Sequence, residues 1–351
     1  MTRKRALILA VVTVGLMALV YLQFRTWKKF DWGRFREGLE GVRLLPIAGA
    51  VVLIYVDYFL RAIRWKIFLR PVKRVPLREL IAPQFIGFTG LALLGRPGEL
   101  IRPYLIARRQ GMSFASQIAV WMVERIFDIG AYTILVAPVF LHPPDDISYA
   151  DQFPRAGVFL LCSIAALVTV AVFVRRKGLA IAARLEAGCP PNSFRGKLAR
   201  RIRVFRDGLN TIHDTASFIQ IIGISVLIWF VIAWAYWLVT HAYPYAPADF
   251  QQMVPPDLTL QHVILLMGFS IAGGVVQLPA VGGGSQLATI GAMLYVFEMP
   301  KELAVSCGIL IWLVTFMAVI PAGLLLARSE HVSLRRLSAE SHLPNNGRET
   351  A

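Results

Sequence analysis

Six stretches of this chain are apolar over lengths that suit a lipid bilayer: 6–24, 44–60, 114–141, 156–174, 218–240 and 303–327. Crossing roughly 30 Å of hydrocarbon as a helix takes about 20 apolar residues. Only helices and closed barrels satisfy every backbone N–H and C=O in that medium. The expectation is an all-α integral membrane protein, a polytopic unit over 1–327 with about six full transmembrane helices. Composition agrees, with 56% hydrophobic residues and a mean hydropathy of +0.59, against about 45–50% apolar residues in a soluble domain.

The net charge of +16 does not indicate a nucleic-acid partner, because the cations sit in short connections between spans and not on one face of a soluble domain. Cys162, Cys189 and Cys307 have no metal-ligand spacing, so neither a disulfide nor a metal site is expected. No cofactor motif occurs. The opening Thr2-Arg3-Lys4-Arg5 precedes an apolar run with bulky Tyr21-Leu22-Gln23-Phe24 at its end, which reads as a retained anchor and not a cleaved signal.

Basic residues crowd 61–78 and, more densely, 175–206, whereas 142–154 carries three aspartates and neither 142–154 nor 241–261 contains Lys or Arg. Placing the basic connections in the cytoplasm puts both termini there, in a cell (inner or plasma) membrane. Segment 25–43 then lies outside despite its cations. Trp32, Phe35, Leu39 and Val42 recur in it at helical spacing, as an amphipathic helix on the interface would require; a solvated linker is the alternative. Residues 175–216 form a basic cytoplasmic excursion with room for one or two surface helices, and 328–351 reads as a disordered tail. Neither offers a catalytic domain, so an enzyme is not expected.

Two further apolar blocks, near 80–94 and 262–278, run into glycine-rich breaks, Gly95-Arg96-Pro97-Gly98-Glu99 and Pro279 to Gln286. The topology makes 80–110 and 262–298 re-entrant hairpins entering from opposite leaflets. Such backbone is tolerated in a membrane only where protein or a wet cavity covers it. Glycines allow sharp turns and close approach. Free N–H groups at the start of the next helix favour an anion. Arg96 and Gly283, Glu99 and Gln286, and Met112 and Met299 are each 187 positions apart. This is the pattern of an inverted repeat, with a site between the halves; two unrelated glycine-rich loops are the alternative.

Glu124, Arg125 and Asp128 interrupt the block 114–141. Each charge at a helix centre costs at least ~2.5–3.5 kcal/mol on insertion scales, so they face the bundle interior. They form either an internal salt bridge clamping the first break or part of a polar path. Arg96 and Arg102 flank that break and suit a phosphate, while Arg108 and Arg109 read as interfacial anchors. Asp57 pairs with Arg61 at i+4, and Trp65 between Arg64 and Lys66 reads as an interface belt.

The run Gly95-Arg96-Pro97-Gly98-Glu99-Leu100-Ile101-Arg102, then Gly111, then Glu124-Arg125 with Asp128, resembles the transmembrane, flippase-like family of lysylphosphatidylglycerol synthases, without a synthase domain. The late glycine turn fits as well. The resemblance implies movement of a polar-headgroup lipid, anionic, isoprenoid-linked or glycosylated, between leaflets. Headgroup-binding candidates are Arg96, Arg102, Gly98, Gly282, Gly283, Gly284 and Gln286. Glu99, Glu124, Arg125 and Asp128 would form the internal network. Gln286 stands where the family often has a Glu, and an amide cannot carry a proton. The rival readings are an accessory subunit of an envelope-lipid or polyprenyl-linked glycosylation enzyme, docked through 175–206, and, more remotely, an integral lipid transferase.

Overall fold

The computed structural model describes residues 30–187, 193–209, 214–243, 258–274 and 283–329. The first apolar block, Gly282 and the tail from 330 onward lie outside the described residues. Among those described there is no strand. Twelve helices follow in order: α1 (Trp32–Glu40), α2 (Leu44–Leu69), α3 (Arg78–Leu94), α4 (Ile101–Gln110), α5 (Phe114–Leu141), α6 (Phe153–Glu186), α7 (Phe194–Leu209), α8 (Thr215–Thr240), α9 (Leu260–Gly273), α10 (Gly283–Tyr295), α11 (Lys301–Trp312) and α12 (Val319–Ser329). A π-helical turn, Leu313–Met317, joins the last two.

Four of these rods are long and apolar enough to cross a membrane: Leu44–Leu69, Ala150–Glu186, Thr215–Thr240 and Lys301–Ser329. α5 is as long, at 28 residues, but Glu124, Arg125 and Asp128 fall together near its middle. Several ends are set by local chemistry. Ser113 and Asp214 cap α5 and α8 by accepting the N–H of Ser116 (3.2 Å) and Ser217 (3.1 Å). Gly111 stops α4 in the left-handed conformation at φ 63°.

α2 runs on past residue 60 to Leu69 and carries Arg61, Arg64 and Trp65 inside the bundle, where the sequence suggested a cytoplasmic loop and an interface belt. All three are buried, Arg64 and Trp65 bonded to groups on other helices and Arg61 to Asp57 one turn back on its own. α6 likewise continues through Arg175 and Arg176 to Glu186, and α7 returns along it. The amphipathic segment is helical over Trp32–Glu40 and packs beside the start of α11, where Glu302 accepts the N–H of Asp31 (3.3 Å).

Lipid tails are as apolar as leucine, so helices associate here through close packing of small side chains. The α2–α8 seam follows that rule, with Ala50 and Ala62 on one helix and Ala233, Ala235 and Ser225 on the other, all fully buried. α12 lies on α3, where Gly323 meets the side chain of Thr89, and α9 lies on α5, where Gly268 meets Phe140 and Tyr132. A large apolar cluster including Tyr58, Phe85, Val136, Leu265, Met293 and Ile311 fills the centre. A second, around Trp65, Phe68, Val120, Val123 and Ile221, surrounds the charged residues. The outward face of α6 is bare, with Phe159 72% exposed, as expected of a helix solvated by acyl chains.

Candidate functional site

Asp57, Arg61 and Arg64 recur on α2 at i, i+4 and i+7, which places them on one face of the helix. Glu124 and Asp128 do the same on α5. Where these faces meet, Arg64 donates from Nη1 to Asp128 Oδ1 (2.6 Å) and to Ser225 Oγ on α8 (2.8 Å), and from Nη2 to Glu124 Oε1 (2.7 Å). Arg102 arrives from α4, donating to both oxygens of Glu124 and to Gln84 Oε1 (3.3 Å). Its guanidinium lies over Trp65, 4.3 Å from the ring centroid. Arg61 donates from Nε to both oxygens of Asp57 (2.9 and 3.0 Å) and stands 5.2 Å from the centroid of Phe88. Arg125 closes the set, with Nη2 2.9 Å from Asp128 Oδ2 and 3.6 Å from Glu124 Oε2.

Seven charged side chains from three helices thus form one network, six of them buried. Pairing makes it tolerable, since a lone buried ion carries a penalty of several kcal/mol. Arg64, Glu124, Asp128 and Arg102 have almost no accessible surface, so this part of the network lines no open path. It behaves as a polar clamp tying α2, α4, α5 and α8 together. Arg102, a headgroup candidate by sequence, is engaged by Glu124 and Gln84 inside that clamp. Arg125 alone of the seven is partly open, with 39% of its side chain accessible.

Arg96 occupies a different place. The first break opens at Gly95, whose φ of 69° needs a residue without Cβ, and continues as a short 3-10 turn, Arg96–Leu100. Gly98 there touches Gly90 on α3, where any Cβ would overlap the Gly90 carbonyl. α3 and α4 can therefore fold back on each other. Arg96 pairs with Glu99 (Nη1 to Oε1, 3.1 Å) and donates from Nη2 to the carbonyl of Gly274 (2.8 Å), the C-cap of α9. That bond ties the first break to the end of α9, on the near side of the second break in the chain. On the far side Gly283, at φ 57°, opens α10; Gly284 presses on Gly273; Ser285 is bonded to Ser270 (2.7 Å), and Gln286 lies partly buried in the first turn.

The sequence pointed to Glu124, Arg125, Asp128 and Arg102, which the structure brings together, and to Arg96 with Glu99, which it holds apart at the break. Arg64, at the centre of the network, was missed. The signal was present in the 57, 61, 64 spacing, which continues one polar face into what looked like a loop. Among the described residues no group of three or more His, Cys, Asp or Glu is placed to hold a metal ion.

Residues 7–323 match the family model described as the lysylphosphatidylglycerol synthase TM region. The chain belongs to this family. Together with the four long apolar rods, membership makes it a membrane protein of a family concerned with lipid handling. The comparison finds no match among curated proteins or solved structures.

Proposed function

We propose that this member of the family moves a lipid with a polar headgroup, anionic or glycosylated, between the leaflets of a cell membrane, acting as a translocator and not as an enzyme. The observation that carries the reading is the hydrogen bond from Arg96 in the first glycine-rich break to Gly274, at the end of the helix that leads towards the second. Half of the Arg96 side chain is accessible there, and guanidinium forks suit phosphate oxygens. Gly98, Gly283, Gly284 and Gln286 border the same junction, and Gly282 belongs with them by sequence.

The arrangement of helices supports an inverted repeat of re-entrant hairpins. α2 and α8 are both 26 residues long, each precedes a helical hairpin, and the long rods that follow begin at Phe114 and Lys301, again 187 positions apart. The packing crosses over, α12 on α3 and α5 on α9, as a site between two halves would require. Both termini are assigned to the cytoplasm on the charge of the connections.

A second reading, an accessory subunit of an envelope-lipid or polyprenyl-linked glycosylation enzyme, draws support from the close packing around Glu124 and from the exposed Arg195, Lys197, Arg200 and Arg201 of α7. The test is reconstitution in liposomes with fluorescent anionic lipids. Transfer that falls with Arg96→Ala is the expected result. No transfer by the wild-type protein would favour the accessory role.

A further inference from the structure

The network holds four guanidinium groups, Arg61, Arg64, Arg102 and Arg125, against three carboxylates, Asp57, Glu124 and Asp128. Every ion pair that these seven groups make within 4 Å among the described residues runs to another of the seven. One positive charge is therefore left over inside a membrane protein, where an uncompensated ion carries a penalty of several kcal/mol.

The surplus is not shared evenly. Arg61 and Arg102 lie over the rings of Phe88 and Trp65, whose faces are partly negative, and Arg64 donates through both Nη atoms to Glu124, Asp128 and Ser225, its buried Nε alone lacking an acceptor. Arg125 has neither support. It touches Asp128 and Glu124 as ion pairs through Nη2 only, its Nε is buried without an acceptor, and it donates no aligned hydrogen bond among the described residues. It is also the one member of the network that opens outward.

Along α5 the neighbours of that opening are apolar. Ile118, Trp121, Arg125 and Ile129 follow one another along α5 at intervals of three and four, which makes them a single stripe. All four are partly or well exposed, Ile129 at 48%. A partly open cation set in an apolar stripe is matched by an amphiphile with one negative charge, and poorly by a small hydrated anion. We propose that Arg125 is the binding group for the phosphodiester of a lipid whose headgroup carries a net charge of −1, which brings the network to neutrality. The inference rests on the lipid-handling reading and assigns its headgroup selectivity to Arg125, apart from the junction at Arg96.

The experiment compares wild type, Arg125→Gln and Arg125→Lys in nanodiscs of phosphatidylcholine alone, of phosphatidylcholine with phosphatidylglycerol, and of phosphatidylcholine with inorganic phosphate added. Thermal midpoints and the lipid retained in native mass spectra are read. Wild type should be more stable with phosphatidylglycerol, Arg125→Lys should keep part of the rise, and Arg125→Gln should lose it. In phosphatidylcholine alone Arg125→Gln should be at least as stable as wild type, since three cations then face three carboxylates. A rise that persists in Arg125→Gln, a lower midpoint of that variant in phosphatidylcholine, or a rise reproduced by inorganic phosphate would each overturn the proposal. If the rise depends on Arg125 but liposomes show no headgroup transfer, the binding site stands and translocation fails; transfer indifferent to Arg125 removes this assignment alone.

Discussion

Arg96 reaches 178 positions along the chain to donate a hydrogen bond from Nη2 to the carbonyl oxygen of Gly274 at 2.8 Å. Arg96 lies in the first turn and Gly274 ends the helix that leads towards the second, so this bond ties the first break to the end of α9. The Arg96 side chain is half exposed, and exposed pairs of this kind contribute only ~0.2–1 kcal/mol. Arg96→Ala should therefore leave the thermal midpoint nearly unchanged while loosening one break from the other. Spin labels at Leu94 and Leu287 would report this as a broader distance distribution; an unaltered width would show that the bond does not couple the turns.

Arg64 is the opposite case. It has no accessible surface and neutralises Glu124 and Asp128 at once. Removing one partner of a buried ion pair costs about 3–5 kcal/mol, because the other charge stays behind unpaired. Arg64→Ala should show a loss of that size in unfolding by denaturing detergent. A loss under ~1 kcal/mol would mean that the two carboxylates are satisfied without it.

The glycines divide sharply by what surrounds them. A Cβ on Gly98 would run into the backbone of Gly90 and Leu91, which cannot swing aside, whereas Gly291 on α10 has nothing within 4 Å. Overpacking of this kind costs ~1–3 kcal/mol, and an unobstructed helical Gly→Ala change gains up to ~1 kcal/mol. Gly98→Ala should lower the midpoint and Gly291→Ala should raise it slightly. Equal effects would argue against the close approach of α3 to the first break.

At the start of α8, hydrogen bonds from Ser217, the hydroxyl first and then the N–H, hold the Asp214 carboxyl below its ordinary range. A depressed carboxyl contributes to folding fully above the unfolded value and loses that contribution as pH falls through the folded one. Amide exchange in the first turn of α8 should accelerate as the pH drops below the usual carboxylate range. Asp214→Asn, which still accepts a hydrogen bond, should remove that pH dependence; persistence in the variant would assign it to another group.

Much of the helix plan was legible from local pattern. The block 114–141 is α5 to the residue, the 218–240 block lies within α8, and the pairing of Asp57 with Arg61 follows from spacing along one turn. Trp32–Glu40 is helical where the apolar spacing requires it. The burial of Arg61, Arg64 and Trp65 was not legible, because their environment is made by Glu124, Asp128, Ser225 and Gln117, which are 52 to 161 positions away. A local reading meets a cluster of cations at the end of an apolar block and infers a loop. Arg102 misleads for the same reason: its proximity to the first break is visible in the chain, whereas its engagement by Glu124 on the next helix is not.

The distribution of charge within the network bears on how the protein enters the membrane. α2 contributes a net +1 to it, α4 another +1 and α5 a net −1, so no one of these segments is at ease alone in hydrocarbon. Synthesis proceeds from the N-terminus, and the two cationic helices are made before the anionic one. When α5 emerges, its carboxylates meet guanidinium groups already waiting, and its release from the insertion machinery becomes contingent on companions that preceded it. Chains lacking α2 should therefore strand α5 at the insertion site, leaving it a target for quality-control proteolysis.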